Sequence, residues 1–304
     1  MLYVSTKNKT DSFTAYRVLH EDKTPDGGLF APFYLPIFTA EEIATFKELS
    51  FSETVAKILN LFFSRRLNSW DVEFSIGRYP FRMETIGQRV VVAELWHNNQ
   101  ADYDYIVSSL YRKLSDNPCK SVPQWVCIAV EIAVLFGLFG ELNRSGIESV
   151  DIAETDEALN YPVAAWYARK MGLPIGYILC GCTENSGLWD FLRRGEASAN
   201  VSDEIQRLIY ENFGADEVAR FLTVRQTGRI YRLAEEETRI ISRGFYPSVI
   251  GPDRIPTVTA SIHRTCGYTA DPLTAAAYGA MQDYRAETGE NRPTLLLSRR
   301  NPKE

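Results

Sequence analysis

The sequence predicts an α/β fold, because strand-like and helix-like segments alternate along most of the chain. Residues Val90 to Leu95 form an apolar run rich in β-branched side chains, which is typical of a buried strand. Apolar residues then recur with helical spacing from Ile106 to Leu114. A strand is predicted over Ser149–Ala153 and a helix over Tyr161–Met171, and a further strand is predicted over Gly176–Cys182. This alternation favours a sheet with flanking helices.

The first 88 residues predict a small helical domain. Thr39 and Glu42 have the spacing of a capping box in front of a short helix. Asp26-Gly27-Gly28 predicts a turn with a positive φ angle. None of these residues carries obvious chemistry, so we assign the segment a packing role. A second helix is predicted from about Ser52, with an apolar face formed by Val55, Ile58, Leu59, Phe62 and Phe63.

Charge and cysteine content exclude several classes of function. The net charge of -6 gives no electrostatic reason to expect a nucleic-acid partner. The segment Met1–Lys7 lacks an apolar signal sequence, so we expect a cytoplasmic protein. The cysteine count of 5 is odd, and the spacing suggests no disulfide framework. We interpret the close pair Cys180 and Cys182 as small buried residues at a strand end and expect no metal site.

The segment from Gln124 to Gly140 is apolar enough to raise the question of a membrane span. Glu131 lies in its middle, where a charge would cost about 2.5–3.5 kcal/mol in a bilayer. No aromatic and basic flanks support insertion. We therefore predict a buried core helix and no membrane association.

Between Arg89 and Tyr105, the predicted strand runs through Trp96-His97 towards Tyr103-Asp104 at the start of the next helix. This order resembles the threonine synthase family, whose pattern is a strand, then Phe-His-Gly-Pro-Thr, then Phe-Lys-Asp opening a helix. Enzymes of that family depend on pyridoxal phosphate (PLP) and have the tryptophan-synthase-β-like fold, fold type II. Their lysine holds PLP as a Schiff base.

Other segments extend the resemblance over both ends and most of the middle of the chain. Tyr3–Lys7 and the Asp26 turn are similar to the family's Tyr-x-Ser-Thr-Arg and Asp-Gly-Gly-Leu-x-x-Pro. Tyr167–Ile175 is similar to Tyr-Ala-Lys-Lys-Met-Gly-Leu-Pro-Ile, and Cys266–Ala277 to Gly-Tyr-x-x-Asp-Pro-His-Thr-Ala. The resemblance implies a truncated PLP fold type II sheet with flanking helices plus a small N-terminal helical domain. The implied division is 1–88 for the N-terminal domain and 89–304 for an α/β domain that lacks most of the small lobe.

The departures from the family pattern concern the parts that carry chemistry. Asp104 falls where the family has its lysine, and a carboxylate cannot form an imine with an aldehyde. The join over 154–160 has three carboxylates and no glycine, whereas the family uses a glycine-containing loop to bind the PLP phosphate at a helix N-terminus. Leu273 replaces a family histidine, and the family's Ser-Gly-Asp-Thr-Gly substrate loop has no counterpart.

These departures predict a pseudoenzyme, a threonine-synthase-like scaffold retained for binding or association, for which we expect no cofactor. One alternative is an active threonine synthase that converts O-phospho-L-homoserine to threonine with PLP. The other is an unrelated small-molecule enzyme that uses His97, Asp102 and Asp104 as acid and base groups.

The loop after Trp96 and the strand end near Ala153 are expected to meet at the carboxyl edge of the sheet, where α/β proteins bind ligands. A small-molecule metabolite is one candidate ligand there. The missing lobe is expected to uncover apolar surface over Val90–Leu114, so we predict a homo-oligomer or a protein partner. The remnant pocket is expected to be acidic and to be lined by His97, Asn98, Asn99, Asp104, Asp156, Glu157, Asn160 and Asn185.

Overall fold

The computed structural model describes residues 1–96, 103–156, 158–184, 187–199 and 201–303. Its strands are β1 Leu2–Ser5, β2 Asn8–Thr14, β3 Phe30–Pro32, β4 Arg82–Ile86, β5 Val90–Glu94, β6 Val150–Thr155, β7 Ile175–Cys182, β8 Glu196–Ala197, β9 Tyr231–Arg232, β10 Phe245–Val249 and β11 Thr294–Ser298. Its α-helices are α1 Ala15–Val18, α2 Ala40–Ala44, α3 Phe51–Phe63, α4 Ser69–Ile76, α5 Tyr103–Leu114, α6 Gln124–Arg144, α7 Asn160–Lys170, α8 Leu188–Arg194, α9 Ile205–Phe213, α10 Ala215–Gln226, α11 Glu235–Ser242, α12 Ile255–Cys266 and α13 Pro272–Thr288.

The main sheet has six strands in the order β10-β7-β6-β11-β5-β4. All neighbouring pairs are parallel except β4 and β5, which are antiparallel. Helices α12 and α13 pack on one face, where Met281 and Ile262 join an apolar cluster with Val92, Leu179 and Leu296 of the strands. The predicted α/β class, with a parallel-rich sheet and flanking helices, is confirmed.

The chain forms two compact units that do not follow chain order. The first unit contains 1–80, 98–148 and 163–174, and the second contains 81–97, 149–162 and 175–304. The division predicted from the sequence, 1–88 and 89–304, instead cuts the chain once. It differs because α6 packs against α3 and so joins the N-terminal segment, whereas β4 pairs with β5 and joins the main sheet.

The N-terminal segment is not purely helical, which corrects the predicted helical domain. Strands β2, β1 and β3 form an antiparallel sheet, and its central strand β1 contains the first of the signature residues Tyr3–Lys7. The predicted turn is confirmed, since Gly27 has a φ of 77°. The predicted capping box is also confirmed: the Thr39 side chain accepts from the backbone of Glu42, and the Glu42 side chain accepts from the backbone of Thr39.

Helix α6 is a buried core helix of the first unit, as predicted. It is the one described helix that is long and apolar enough to cross a membrane, and 89% of its most apolar 18-residue window is buried inside the protein. Gly137 lets it approach α3 closely, because a Cβ atom there would lie 2.5 Å from the ring of Phe51. The length of this helix is therefore explained by packing.

The apolar surface expected over Val90–Leu114 is not found on its strand. All five residues of β5 are buried. Strand β11 covers one side, and β4, which the sequence did not predict, pairs along the other side from Arg82 to Ile86. The strand part of this segment therefore offers no uncovered apolar face.

Candidate functional site at the carboxyl edge of the sheet

The parallel strands bring five carboxyl ends to one edge of the main sheet, which is where ligands of α/β proteins bind. The strands leading there are largely apolar, but three of the five end in a polar or charged residue. Glu94 ends β5, Thr155 ends β6 and Ser298 ends β11. Because β5 and β6 both run parallel to β11, the ends of β5 and β6 lie at the same edge. The loop after Trp96, which the sequence analysis expected there, is outside the described residues.

A buried ion pair lies across the centre of this edge. Glu154 of β6 is fully buried, and its Oε2 accepts from Nη2 of Arg299 at 3.1 Å. Arg299 directly follows β11 and is 9% exposed. Its guanidinium carbon lies 3.6 Å from the ring centroid of Tyr161. The arginine is thus held on one side by charge and on the other by an aromatic face.

Asp156 closes the end of β6 against the end of β7. Its two carboxylate oxygens accept from the backbone N–H of Thr183 at 3.0 and 3.2 Å. The residue is 6% exposed, so the carboxylate is directed into the protein and not towards solvent. This carboxylate therefore ties two neighbouring strand ends together.

A third group of polar contacts links the ends of β5 and β11 to the start of α13. The indole N–H of Trp96 donates to Ser298 Oγ at 3.0 Å. Asp271 caps α13, since its Oδ1 accepts from the backbone N–H groups of Leu273 and Thr274 at 2.9 and 3.2 Å. Its Oδ2 also accepts from the Thr274 hydroxyl. These bonds fix the backbone around the edge.

Buried groups near the edge are held in their protonated forms. Burial raises the pKa of the Tyr268 phenol; Ser298 opposes the shift, and the Glu94 carboxylate adds to it. Burial also raises the pKa values of Cys180 and Cys182, and the carboxylates of Glu154 and Asp156 contribute. A thiol needs its thiolate form to act as a nucleophile or metal ligand, so these cysteines suit packing.

A small cavity lies among the described side chains of this edge. The described residues of the edge enclose a cavity of about 10 Å³, lined by Tyr161, Leu273, Arg299 and their neighbours. A space of about 10–15 Å³ of this kind holds one water molecule. Sites for small molecules and cofactors occupy about 300–1,000 Å³.

Comparison with known proteins identifies the fold. Residues 2–78 match the family model described as "Threonine synthase N terminus". No curated protein sequence gives a significant match to this chain. The PLP-bound threonine synthase from Brucella melitensis superposes with a TM-score of 0.81 at 16% identity, covering 99% of this chain and 89% of that chain. The chain is a threonine synthase-like protein.

Two more solved structures support the same threonine synthase fold. The yeast enzyme superposes with a TM-score of 0.79 at 15% identity, covering 99% of this chain and 87% of that chain. The Escherichia coli enzyme gives a TM-score of 0.73 at 15% identity, covering 99% and 89%. At this level of identity the likeness establishes the fold alone.

The predicted pocket residues of this threonine synthase-like chain fall into three groups. Asp156 lies buried at the edge, and Asn160 begins α7, which follows the same strand. Asp104 lies exposed in the first turn of α5, in the first compact unit. Five other predicted pocket residues are outside the described residues: His97, Asn98, Asn99, Glu157 and Asn185. Asp102, one of the three acid and base groups of the alternative enzyme, is outside them as well.

Sequence reasoning did not select the residues that fill the edge. Arg299, Tyr161 and Asp271 were absent from the predicted pocket, and Glu154 was noted only as one of three acidic residues. The signal was available for Arg299, because a charged residue directly after a buried strand points to a carboxyl edge. Its pairing with Glu154 was not predictable, since it required knowing that β11 lies beside β6.

Proposed function

We propose that this protein is a threonine-synthase-like pseudoenzyme, a scaffold that performs no PLP chemistry and has an association role. The observation that carries the proposal is the Glu154–Arg299 ion pair, stacked on Tyr161, at the edge where the fold family implies a cofactor. The residues present do not fit PLP, because Asp104 falls where the family has its Schiff-base lysine and the join over 154–160 has three carboxylates and no glycine to hold the phosphate.

The charges at this edge also disfavour a phosphate group. Four buried carboxylates lie among its described residues, belonging to Glu94, Glu154, Asp156 and Asp271. Arg299 already pairs with Glu154. Two like charges 4 Å apart repel by about 4 kcal/mol at an effective dielectric constant of about 20. A dianionic phosphate would meet this repulsion without the glycine-rich amide cradle that helix N-termini use to bind it.

The resemblance places Asp104 at the position of the Schiff-base lysine, and other lysines are engaged in structural contacts. Lys113 donates to Asp71 Oδ1 at 2.8 Å. The Lys170 ammonium lies 4.4 Å from the Trp166 ring centroid. An active threonine synthase would have to recruit one of these residues from its present contact, which favours the pseudoenzyme over this alternative.

Association is favoured over metabolite binding. A larger cavity of about 500 Å³ lies beside α8, α11 and β10, and three arginines line it. Each of them already lies near a carboxylate, so an anionic metabolite would have to compete with an existing ion pair. The pairs are Arg193–Glu287 at 3.9 Å, Arg194–Asp190 at 3.1 Å and Arg239–Glu235 at 2.8 Å.

The test is phosphate release from O-phospho-L-homoserine with PLP added. Wild type, Asp104→Lys and the double variant Asp104→Lys/Arg299→Thr are compared, because the shorter threonine side chain removes the guanidinium that pairs with Glu154. We expect no release above the protein-free rate from any of them, since the other cofactor and substrate loops are still missing. Circular dichroism confirms that each variant is folded. PLP-dependent release by the wild type would show that the protein is an enzyme.

A further inference from the structure

Helix α4 is apolar on two opposite sides. Val72 and Ile76 are buried against the first unit. Trp70 and Phe74 point away from it and are 78% and 89% exposed. Residues four positions apart lie on the same helix face, so the two rings form one apolar stripe. The side of a helix that faces solvent usually carries polar residues, so this exposed apolar stripe suggests a surface that is covered in the working protein.

The exposure of these rings is not the result of a frayed helix end. Asn68 and Asp71 form a capping box, with backbone-to-side-chain bonds of 3.0 and 3.1 Å. Asp71 also accepts from Lys113 of α5 at 2.8 Å. The first turn of α4 is therefore anchored, and the helix holds Trp70 and Phe74 in solvent.

A third exposed ring follows the helix end in the sequence. Tyr79 is 70% exposed, and it lies within the same ten-residue segment as Trp70 and Phe74. We call these three residues the aromatic surface. Single exposed apolar residues are ordinary, but tryptophan and tyrosine concentrate at the centres of protein interfaces.

The two end strands of the main sheet are protected against pairing with another chain. Pro247 lies in the middle of β10 and has no backbone N–H to offer. Strand β4 carries Arg82 and Glu84, which form an ion pair at 2.9 Å. Charged residues and proline commonly prevent an edge strand from pairing with a strand of another chain. Association by strand pairing is thus disfavoured, which leaves side-chain surfaces.

We propose that the aromatic surface is the interface of a two-fold dimer of this chain. This inference specifies the partner in the association role proposed above. In a two-fold dimer the same surface must be complementary to itself. Glu73 and Arg78 have opposite charges and flank Phe74, so an antiparallel pairing of two copies brings each glutamate towards the arginine of the second copy. The Arg78 guanidinium lies 5.7 Å from the Tyr79 ring centroid, within the surface.

The area available fits a dimer of modest size. An aromatic side chain buries about 150–250 Å², so three rings supply roughly 450–750 Å² per copy. Two copies then bury about 900–1,500 Å² in total, which reaches the threshold of about 1,000 Å² for a specific interface.

Sedimentation velocity over a range of protein concentrations, without PLP, tests the proposal. We expect the wild type to dimerise and Trp70→Glu/Phe74→Glu to raise the dissociation constant at least about 100-fold, as expected for two interface hot spots per copy. The matched control is Tyr34→Glu/Ile37→Glu, which changes two side chains that are 76% and 74% exposed outside the aromatic surface. It should change the constant less than about threefold, as for a site outside the hot spots.

Either of two results would overturn the proposal. One is a wild type that stays monomeric at every concentration. This result would overturn the dimer even if the aromatic surface binds a different protein. The other is a dimer that survives both Trp70→Glu/Phe74→Glu and the smaller change Trp70→Ala/Phe74→Ala. Because PLP is absent, neither result bears on catalysis, and a phosphate-releasing wild type would leave the dimer test unaffected.

Discussion

Asp26 and Glu154 are carboxylates in two regions that follow the threonine synthase pattern to different degrees. Asp26 lies in the N-terminal turn, which keeps the family signature, and its Oδ1 accepts from Ser5 Oγ at 2.8 Å and from the Gly28 N–H at 3.1 Å. Glu154 lies in the region where the signature is lost. It is fully buried and paired with Arg299.

The difference between the two regions distinguishes residues that the fold needs from residues that only the chemistry needs. The N-terminal turn joins β1 to the segment before β3, and a fold needs that connection whether or not it performs chemistry. Under the proposed function the carboxyl edge has no such requirement, so its side chains are free to pack against one another. In this protein the described edge residues Glu154, Asp156 and Arg299 are buried.

Arg299→Ala tests the edge and carries the largest expected effect. It leaves Glu154 buried without its cation, and breaking a buried pair in this way costs about 3–5 kcal/mol. The free energy of unfolding, measured by urea denaturation, should fall by that amount. Arg300→Ala is the matched control, because the neighbouring Arg300 is exposed and its loss should change stability by less than about 0.5 kcal/mol. An equally small effect at Arg299 would mean that the edge is open to water.

Tyr3→Phe tests the N-terminal region and should have an intermediate effect. The buried Tyr3 hydroxyl donates to the Phe62 carbonyl at 2.8 Å and accepts from the Trp125 indole N–H at 3.1 Å. Its removal leaves buried partners unsatisfied, at a cost of about 1–3 kcal/mol. The same denaturation experiment measures it against Tyr16→Phe, which changes a tyrosine that is 67% exposed. A neutral Tyr3→Phe would show that this signature residue has no structural role.

The contribution of Asp26 to the pH dependence of folding stability is the smallest expected effect. Partial burial opposes ionisation, but hydrogen bonds from Thr24, Gly28 and Ser5 outweigh it and lower the pKa of Asp26 below the ordinary value of 3.8. The carboxylate therefore stabilises the folded state at pH values above the unfolded pKa. This contribution is lost as the pH falls through the folded pKa.

The stability difference between the wild type and Asp26→Asn should consequently be constant near neutral pH and shrink below about pH 4. Denaturation midpoints from pH 3 to pH 7, as a practical range around the carboxyl pKa of about 4, measure it. A difference that grows on acidification would contradict the assigned direction.

Much of the fold followed from local sequence. The capping box at Thr39, the turn at Gly27 and the strands β5 and β7 were predicted because their signals lie within a few consecutive residues. Strand β4 and helix α4 were missed. Arg82–Ile86 alternates without a clear apolar face, and α4 exposes Trp70 and Phe74 where an amphipathic helix would place polar residues.

The candidate site was less predictable because it depends on contacts between distant segments. Glu154 and Arg299 are 145 positions apart and meet only because β6 and β11 are neighbours in the sheet. The family resemblance located the edge correctly. It could not predict that an arginine, a glutamate and Tyr161 would together occupy the space there.

Borohydride reduction tests the central claim most directly. The protein is incubated with PLP, reduced and examined by intact-mass and peptide mass spectrometry, with the Escherichia coli threonine synthase treated in parallel. We predict only scattered, substoichiometric labelling of surface lysines, because Asp104 stands where the family has its Schiff-base lysine. A stoichiometric adduct on one lysine would contradict the account, since it would show that the protein retains a site built for the cofactor.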